Sequence, residues 1–230
     1  MKEKIIAFDL DGTIIDSAPD LTSALNYVLN LFNLENIDEK EVRSLIGNGA
    51  EALINEAFKK KGKNIENMIE LKNVFLDKYK ICFKDRTKLY PDAEKVIKRF
   101  YKSGYTLILV SNKPEFYCRE LLTHFKIMKY FSSVSGGDTF SYRKPDPRHL
   151  FETINKTGIS NHNTIFIGDS IYDYECAKNA KLPCILLSHG YSNININKLN
   201  AYKVIPNFSL LFEIIDDYMN SKTTSFNRQS

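Results

Sequence analysis

The sequence predicts an α/β fold: a Rossmann-like parallel sheet core with helices on both faces and an inserted small all-helical cap. From residue 85 to residue 220, short apolar runs alternate with segments of helical periodicity, which is typical of a parallel sheet built from βαβ units. Between the first apolar run and that region, residues 17–84 show helical periodicity alone. We therefore expect a discontinuous core of residues 1–16 and 85–220, interrupted by a helical cap of residues 17–84.

The individual elements follow from apolar spacing and from residues that begin or end helices. Strands are expected at residues 4–10, 105–110, 132–136, 164–168 and 184–187. Cap helices are expected to begin at Ser17, at Asp38 and near residues 50 and 65, and core helices at residues 91–104, 114–124, 147–157, 171–180 and 208–219. Ser17 is the expected N-cap of the first helix, with Asp20 as its capping-box partner. The polar tail, residues 221–230, is expected to be disordered.

Composition and charge narrow the classes of protein that fit. The chain has 230 residues, of which 43% are hydrophobic, enough for one sizeable core. No stretch approaches the roughly 18 consecutive apolar residues of a membrane span, and the apolar run before Asp9 is too short for a secretory signal. The net charge of +4 is carried by scattered lysines, and the densest run, residues 59–63, is more typical of a solvated helix end than of a nucleic-acid patch.

The cysteines and histidines show no metal-binding or disulfide pattern. None of the four cysteines belongs to a C-x-x-C pair, which favours inert thiols in a reducing compartment over disulfides or zinc. None of the four histidines has the spacing of metal ligands. We therefore expect a cytoplasmic protein, a monomer or a homodimer, without a nucleic-acid or membrane partner.

Polar side chains follow the predicted strands at their carboxyl ends, where ligands bind in open parallel sheets. They form four groups: Asp9 and Asp11; Ser111 and Asn112; Lys144; and Asp169 with Asp173. Taken singly, each group has an ordinary structural interpretation, such as a tight turn, a helix cap or a surface lysine in a proline-rich loop. Taken together, these side chains would meet in one crevice, and a shared chemical role becomes the better interpretation.

The charges of these groups point to a metal and a phosphate. Four carboxylates at one edge oppose one another's ionisation unless positive charge compensates them. Lys144 and a divalent cation would supply that charge. Oxygen ligands beside a phosphate group suit Mg²⁺.

The spacing of Asp9 and Asp11 fits phosphoryl transfer. Side chains two residues apart in a strand point the same way, so Asp9 can be a carboxylate nucleophile that forms an aspartyl-phosphate. Asp11 can protonate the leaving group and later deprotonate the attacking water. A glycine at the next position lets backbone N–H groups approach a phosphate closely. The residues expected to bind phosphate or substrate are Gly12, Thr13, Ser111, Asn112 and Lys144.

Other functional classes fit less well. No G-x-x-x-x-G-K-[ST] loop is present, which excludes a P-loop NTPase as far as a sequence can. A phospho-acceptor receiver domain would share the acidic sheet edge and the lysine, but the ~100 residues between Asp9 and Ser111 exceed its short connections. A binding module without activity is a further alternative, which the complete set of reactive residues disfavours.

Four stretches, FDLDGTIID, SNKP, RKPDP and GDSIYD, resemble in order the signature motifs of the haloacid dehalogenase superfamily of phosphatases. The resemblance covers most of the chain, and the insertion after the first strand is similar to the family's small helical cap. It implies Asp9 as nucleophile and Asp11 as acid and base. It also implies Mg²⁺ bound by Asp9, by the backbone carbonyl of Asp11 and by Asp169, with Asp173 supporting the metal directly or through water.

Within that superfamily, FDLDGTIIDSAPDL, EVRSLIGNGAEAL, SNKP and HGY look like bacterial phosphoglycolate phosphatases. This implies hydrolysis of a small phosphate ester, 2-phosphoglycolate. It also implies that Arg43 of the cap lies near the substrate carboxylate, where a guanidinium can fork onto two oxygens; a solvated helix residue is the alternative for Arg43. Pyrophosphatases, nucleotidases and sugar-phosphate mutases on the same scaffold stay open as alternative functions.

Overall fold

The computed structural model describes residues 3–160 and 162–226, and leaves out the side chains of 222–226. Its strands are β1 (Glu3–Phe8), β2 (Ile15–Asp16), β3 (Lys88–Leu89), β4 (Thr106–Val110), β5 (Phe131–Ser135), β6 (His162–Gly168), β7 (Cys184–Leu187) and β8 (Lys203–Ile205). Its α-helices are α1 (Ala18–Leu31), α2 (Glu39–Arg43), α3 (Gly49–Lys60), α4 (Met68–Cys82), α5 (Ala93–Lys102), α6 (Glu115–His124), α7 (Pro147–Asn155), α8 (Ile171–Asn179) and α9 (Leu211–Phe226). Short 3₁₀ turns precede β5, β8 and α9.

Six of these strands form one sheet in the order β5-β4-β1-β6-β7-β8. Every neighbouring pair is parallel. Strand β1 lies between β4 and β6, although long stretches of chain separate the three strands. Because parallel strands present their carboxyl ends at the same edge, the residues that follow β1, β4 and β6 must lie close together.

The sheet is apolar on both faces. In β1, Ile6 and Phe8 point into one hydrophobic core, whereas Ile5 and Ala7 point into the other, and all four are fully buried. Side chains alternate along a strand, so a strand covered on both faces reads as a continuous apolar run rather than an alternating one. The predicted fold class, a parallel sheet with helices on both faces, is confirmed.

Three short strands were not predicted. Strands β2 and β3 have two residues each and β8 has three, too few for apolar spacing to reveal them. Strand β2 pairs antiparallel with β3 where the chain leaves the core and returns to it. The segment 17–84 between them holds helices α1 to α4; that it acts as a separate cap stays a prediction.

The predicted capping box at the start of α1 is wrong. Ser17 is the N-cap residue, but its hydroxyl donates to the Asp11 carboxylate and not to the helix backbone. Asp20 is buried and accepts from the backbone N–H groups of Arg86 and Thr87 and from the Thr87 hydroxyl. Because a buried carboxylate requires donors, the hydrogen bonds to Asp20 hold residues 86–87 against the first turn of α1.

The C-terminal helix is longer than the sequence predicts. Helix α9 continues through Phe226, so residues 221–226 of the expected disordered tail are helical, and residues 227–230 lie outside the described part of the chain. None of the described helices is both long and apolar enough to cross a bilayer. The four cysteines are buried free thiols, as predicted.

Candidate active site

The carboxyl edge of the sheet brings three acidic residues together. Oxygens of Asp9, Asp169 and Asp173 lie within 4.8 Å of one another, and all three residues are buried. The N–H of Asp9 donates to Ile167 of β6 at 2.9 Å, which extends the pairing of β1 to the residue that carries the first carboxylate. Asp9 therefore occupies a fixed backbone position next to the end of β6.

A tight turn after β1 brings the backbone of Gly12 against Asp169. The Leu10 carbonyl accepts the N–H groups of Thr13 and Ile14 at 3.2 and 2.9 Å, while the Leu10 side chain is buried in the core. Gly12 has φ of +83°, and a Cβ at this position would collide with the Asp169 carboxylate. Glycine is therefore needed here both for the backbone conformation and for the close approach.

Asp169 is held by two donors. The Thr13 hydroxyl donates to its Oδ1 at 2.8 Å, and the Tyr191 N–H donates to its Oδ2 at 2.8 Å. Burial, followed by the neighbouring carboxylates of Asp173 and Asp9, raises the pKa of Asp169 well above its usual range. The Thr13 side chain, predicted to bind phosphate, is thus engaged in orienting Asp169.

Lys144 supplies positive charge to the group of Asp9, Asp169 and Asp173, which we call the acidic group. Its Nζ lies 2.7 Å from Asp9 Oδ1 and 2.7 Å from Asp173 Oδ1, and its side chain is 1% exposed. Burial alone would lower the pKa of Lys144, but the carboxylates of Asp173 and Asp9 outweigh burial and raise that pKa above its ordinary value. Lys144 therefore stays charged in the buried site.

The pKa of Asp9 is set by opposing influences of its surroundings. Burial has the largest effect and raises the pKa of Asp9 to about 6. The Lys144 ammonium lowers it, and the carboxylates of Asp173 and Asp11 raise it. The ionised form of Asp9 thus depends on compensating positive charge.

Both carboxylate oxygens of Asp173 have protein partners. Oδ2 accepts from the N–H of Asp169 at 3.2 Å, and from the N–H and hydroxyl of Ser170 at 3.0 and 2.7 Å. Oδ1 accepts from Lys144 at 2.7 Å. Asp173 therefore fixes both the start of α8 and the position of Lys144.

A second buried lysine, Lys113, holds Asp11. Its Nζ donates to Asp11 Oδ1 and Oδ2 at 3.1 and 3.0 Å, and to the Tyr79 hydroxyl of α4 at 2.8 Å. Burial alone would lower the pKa of Lys113, but Asp11 and Tyr79 outweigh it and raise that pKa. The hydroxyl of Ser17 donates to Asp11 as well.

Lys113 and Tyr79 were not predicted as site residues from the sequence. The available signal was the position of Lys113 directly after Ser111 and Asn112, at the same strand end. Nothing local marks Tyr79, which lies 34 residues earlier in the chain on a cap helix. Tyr191, whose N–H orients Asp169, was also missed, although it belongs to the HGY stretch.

Ser111 and Asn112 lie at the predicted site and line the same cavity as Asp9 and Asp11. The Asn112 Nδ2 donates to the backbone carbonyls of Gly47 and Lys144 at 3.0 and 3.1 Å. Its Oδ1 is buried and has no hydrogen-bond partner among the described residues. Asn112 therefore links the loop at Gly47 to the loop that carries Lys144.

Arg43 is engaged elsewhere. Its guanidinium donates to both oxygens of Asp16 at 2.9 and 2.8 Å and to Glu39 at 2.7 Å, and it is not among the residues that line the cavity. Burial acts to raise the pKa of Asp16, but hydrogen bonds from Arg43 and Tyr191 outweigh it and lower that pKa. The structure thus pairs Arg43 with Asp16 of β2 and with Glu39 of α2, and these two carboxylates neutralise its charge.

The acidic group suits a hard divalent cation. Three buried carboxylates share one ammonium, that of Lys144, so the group carries excess negative charge when ionised. Carboxylate and carbonyl oxygens are the ligands that Mg²⁺ and Ca²⁺ prefer. Asp9 and Asp169 are the candidates for direct ligands. Each Asp169 oxygen accepts one neutral donor, whereas Asp173 Oδ2 accepts three donors and its Oδ1 accepts from the Lys144 ammonium.

Comparison with known proteins agrees with this geometry. A family model described as haloacid dehalogenase-like hydrolase matches residues 6–187. A phosphoglycolate phosphatase from Mesorhizobium japonicum is 36% identical over 213 residues, which cover 92% of this chain and 94% of that protein. One from Agrobacterium fabrum is 32% identical, over 94% of this chain and 93% of its own length.

A solved structure agrees as well. A crystal structure described as a predicted phosphoglycolate phosphatase from Haemophilus somnus superposes with a TM-score of 0.85 at 31% identity, covering 93% of this chain and 98% of that one. The fold and the acidic sheet edge thus define a hydrolase. The chain belongs to the haloacid dehalogenase-like hydrolase family, and its relatives place it among the phosphatases of that family.

Proposed function

We propose that this chain is a magnesium-dependent phosphomonoesterase that converts 2-phosphoglycolate to glycolate and phosphate through an aspartyl-phosphate. The observation that carries the proposal is the placement of Asp9. Its carboxylate is buried beside the Lys144 ammonium at 2.7 Å, within the acidic group, and it lines a cavity together with Asp11, Ser111 and Lys113. A carboxylate so placed can meet a phosphate that enters from the cavity.

In the first step, an Asp9 oxygen attacks phosphorus and the bond from phosphorus to the ester oxygen breaks. Asp11 lies two residues further on and also lines the cavity. In its protonated form it gives its proton to the departing ester oxygen. The products of this step are the aspartyl-phosphate on Asp9, the free alcohol and the Asp11 carboxylate.

In the second step, Asp11 takes a proton from water as the water oxygen attacks phosphorus. The bond from phosphorus to the Asp9 oxygen breaks, which restores the Asp9 carboxylate and releases phosphate. Asp11 is again protonated and ready for the next turnover. Asp11 is the acid in the first step and the base in the second. Because it lines the same cavity as Asp9, one pair of carboxyl groups can carry out both steps.

Magnesium would be held by Asp9, Asp169 and the backbone carbonyl of Asp11. When bound, it supplies positive charge to the phosphate oxygens and to the carboxylates. Thr13 and Tyr191 orient Asp169 for this role. Asp173 is proposed to support the site indirectly, through Lys144 and the backbone of residues 169–170.

The remaining residues position the phosphate. Lys144 would neutralise charge on Asp9 and on a phosphate oxygen, and the Ser111 hydroxyl would donate to another. The backbone N–H groups of Gly12 and Thr13, which the sequence predicts to contact phosphate, already donate to the carbonyls of Ile15 and Leu10 at 2.9 and 3.2 Å, so they are not assigned to the phosphate. Asn112 would close the cap loop at Gly47 over the site. Such positioning and electrostatics account for most of the catalysis in phosphoryl transfer.

A substrate panel tests the proposal. We expect rapid phosphate release from 2-phosphoglycolate with Mg²⁺, and its loss with a chelator and recovery on adding Mg²⁺ back. Inorganic pyrophosphate, a nucleoside monophosphate and a hexose 1-phosphate should be hydrolysed less efficiently. Isomer formation from the hexose phosphate without phosphate release would instead indicate a mutase. Single turnover without recycling would indicate a phospho-acceptor domain.

A binding measurement checks the metal site separately. Mg²⁺ added to the chelator-treated protein should raise its melting temperature, because a ligand that binds only the folded state stabilises it. The same titration on Asp169→Asn should give a much smaller shift. An equal shift in both proteins would contradict the proposed ligand set.

A cytoplasmic location is part of the proposal, supported by the four buried free thiols.

A further inference from the structure

The cavity above Asp9 and Asp11 is walled mainly by apolar residues of the cap. Leu53 of α3 and Phe75 and Leu76 of α4 contribute to this wall, with an aromatic partner in Tyr79. A charged leaving group in such a cavity would lose its water, and an unpaired buried carboxylate is strongly disfavoured. A substrate with a carboxylate therefore requires a cation in the cavity wall.

Lys113 is the only cationic side chain among the described residues that line the cavity. It is 3% exposed, so its charge acts in surroundings from which water is largely excluded. Lys144 lies between two carboxylates, and Arg43 is neutralised by Asp16 and Glu39 outside the cavity lining. Lys113 is thus the cation available to a leaving group.

The position of Lys113 fits a carboxylate that is close to the ester oxygen. Its ammonium lies 3.0 Å from the carboxylate of Asp11, the residue proposed to protonate the ester oxygen. In 2-phosphoglycolate the carboxyl carbon is two bonds from that oxygen. A group that already contacts the proton donor is therefore within reach of the substrate carboxylate once the phosphate is on Asp9.

A second anion can bind here if one existing contact of Lys113 is released. An ammonium has three N–H donors, which face the two Asp11 oxygens and the Tyr79 hydroxyl, so Lys113 bridges Asp11 and a substrate carboxylate when one Asp11 oxygen gives up its contact. The Tyr79 hydroxyl accepts from Lys113 at 2.8 Å, which leaves its own proton to donate. Burial is the largest influence that raises the pKa of Tyr79, so this hydroxyl keeps its proton.

We infer that Lys113, with the Tyr79 hydroxyl beside it, binds the carboxylate of the leaving group and makes the enzyme selective for phosphate esters of small 2-hydroxy acids. The inference rests on the proposed function and names the residues that determine its specificity. It assigns to Lys113 the role that the sequence resemblance gave to Arg43. The competing explanation is that Lys113 only positions Asp11, which would affect every substrate equally.

The test compares two substrates that differ in the carboxylate. The ratio of kcat/KM for 2-phosphoglycolate to kcat/KM for ethyl phosphate is measured in the wild type and in Lys113→Met, Lys113→Arg and Tyr79→Phe. Removal of Lys113 should lower the ratio by at least about 30-fold, which corresponds to about 2 kcal/mol. Arginine keeps the charge and should retain more of the ratio, and Tyr79→Phe should lower it about fivefold. Lys80→Met, an exposed change on the same cap helix as Tyr79, should leave it unchanged.

Each outcome decides between the explanations. If Lys113→Met slows both substrates equally and the ratio stays constant, Lys113 only positions Asp11 and the inference is wrong. If Lys113→Met does not fold by circular dichroism, Tyr79→Phe decides, since its ring still packs against Phe75 and Tyr117, and an unchanged ratio overturns the inference. A wild type that hydrolyses neither ester refutes the proposed function instead, and one that hydrolyses both equally refutes only carboxylate recognition.

Discussion

The two buried lysines at the carboxyl edge of the sheet, Lys144 and Lys113, have similar burial but different partners. Lys144 lies between two carboxylates of the core, Asp9 and Asp173, at 2.7 Å from each. Lys113 has one carboxylate partner, Asp11, at 3.0 Å. Its Nζ also donates, at 2.8 Å, to the hydroxyl of Tyr79 on helix α4. Both partners of Lys144 belong to the core, whereas Lys113 pairs with Asp11 of the core and with Tyr79 of α4, in the segment predicted to be the cap. The first arrangement suits constant charge balance and the second suits recognition of a substrate beneath the cap.

The largest expected effect comes from a change that alters the partners of Lys144 and leaves those of Lys113 in place. In Asp9→Asn the proposed nucleophile becomes a neutral side chain of the same shape. We expect turnover of 2-phosphoglycolate to fall at least about 10⁴-fold, because the loss of a nucleophile removes the covalent route, while circular dichroism shows a folded protein. Asp77→Asn on the exposed face of α4 is the matched control. A variant that retains substantial turnover would show that Asp9 is not the nucleophile.

The next largest difference is expected in the stability cost of replacing each lysine. Lys144→Met leaves two buried carboxylates without a cation, and breaking a buried ion pair in this way costs about 3–5 kcal/mol. Lys113→Met leaves one carboxylate, and the Asp11 side chain is 12% exposed and still accepts from Ser17, so we expect about 1–2 kcal/mol. At ~2–4 °C per kcal/mol for a chain of this size, the difference is measurable by thermal melting in chelator.

The exposed Lys80→Met variant should shift stability by less than about 0.5 kcal/mol and sets the baseline. Equal destabilisation by Lys144→Met and Lys113→Met would show that the number of carboxylate partners does not decide the cost. Mg²⁺ added to Lys144→Met should recover part of the loss, since a cation bound by Asp9 replaces some of the missing charge.

The charge of Lys144 also reaches His149, a buried residue of α7 whose ring packs against Phe140 with centroids 5.9 Å apart. Burial, and next the ammonium of Lys144, lower the pKa of His149 from 6.5 to about 3. Lys156 acts in the same direction, while the backbone of residue 136 and Asp146 oppose it. Because the folded-state pKa lies below the unfolded value, His149 contributes its full stability above 6.5 and loses it as the pH falls towards 3.

Between about pH 7.5 and pH 5.5, this group should cost the wild type about 1.4 kcal/mol of unfolding free energy. In His149→Leu that part of the acid dependence should disappear in urea titrations at the two pH values. His124→Gln, at an exposed histidine of α6, should keep the dependence of the wild type. An acid dependence that is the same in His149→Leu and wild type would mean that the imidazole is not excluded from protonation in the folded state.

The contrast between the two lysines also marks what a sequence can and cannot predict. Lys144 was predicted because four carboxylates at one edge require a cation, a demand that follows from charge alone. Lys113 was missed because turn and helix-cap chemistry already explained every residue of SNKP. Its contact with Tyr79 depends on how a cap helix packs over the core, and no local spacing carries that information. Glu39, four residues before Arg43 on a helix, was a visible partner, whereas Asp16 lies 27 residues from Arg43 in the chain, a separation that no local spacing reveals.

The smallest expected effect is that of Arg43→Ala, and it decides which cation recognises the carboxylate. The Arg43 side chain is 30% exposed in its pair with Asp16, so screening by solvent limits the stability cost to about 0.5–1 kcal/mol. Since Arg43 does not line the cavity, the ratio of kcat/KM for 2-phosphoglycolate to that for ethyl phosphate should change by less than about threefold. Arg43→Lys, which keeps the charge but not the fork, is the control. A fall of the ratio as large as that expected for Lys113→Met would place the substrate carboxylate at Arg43, and would mean that the cap closes further during turnover and breaks the pair with Asp16.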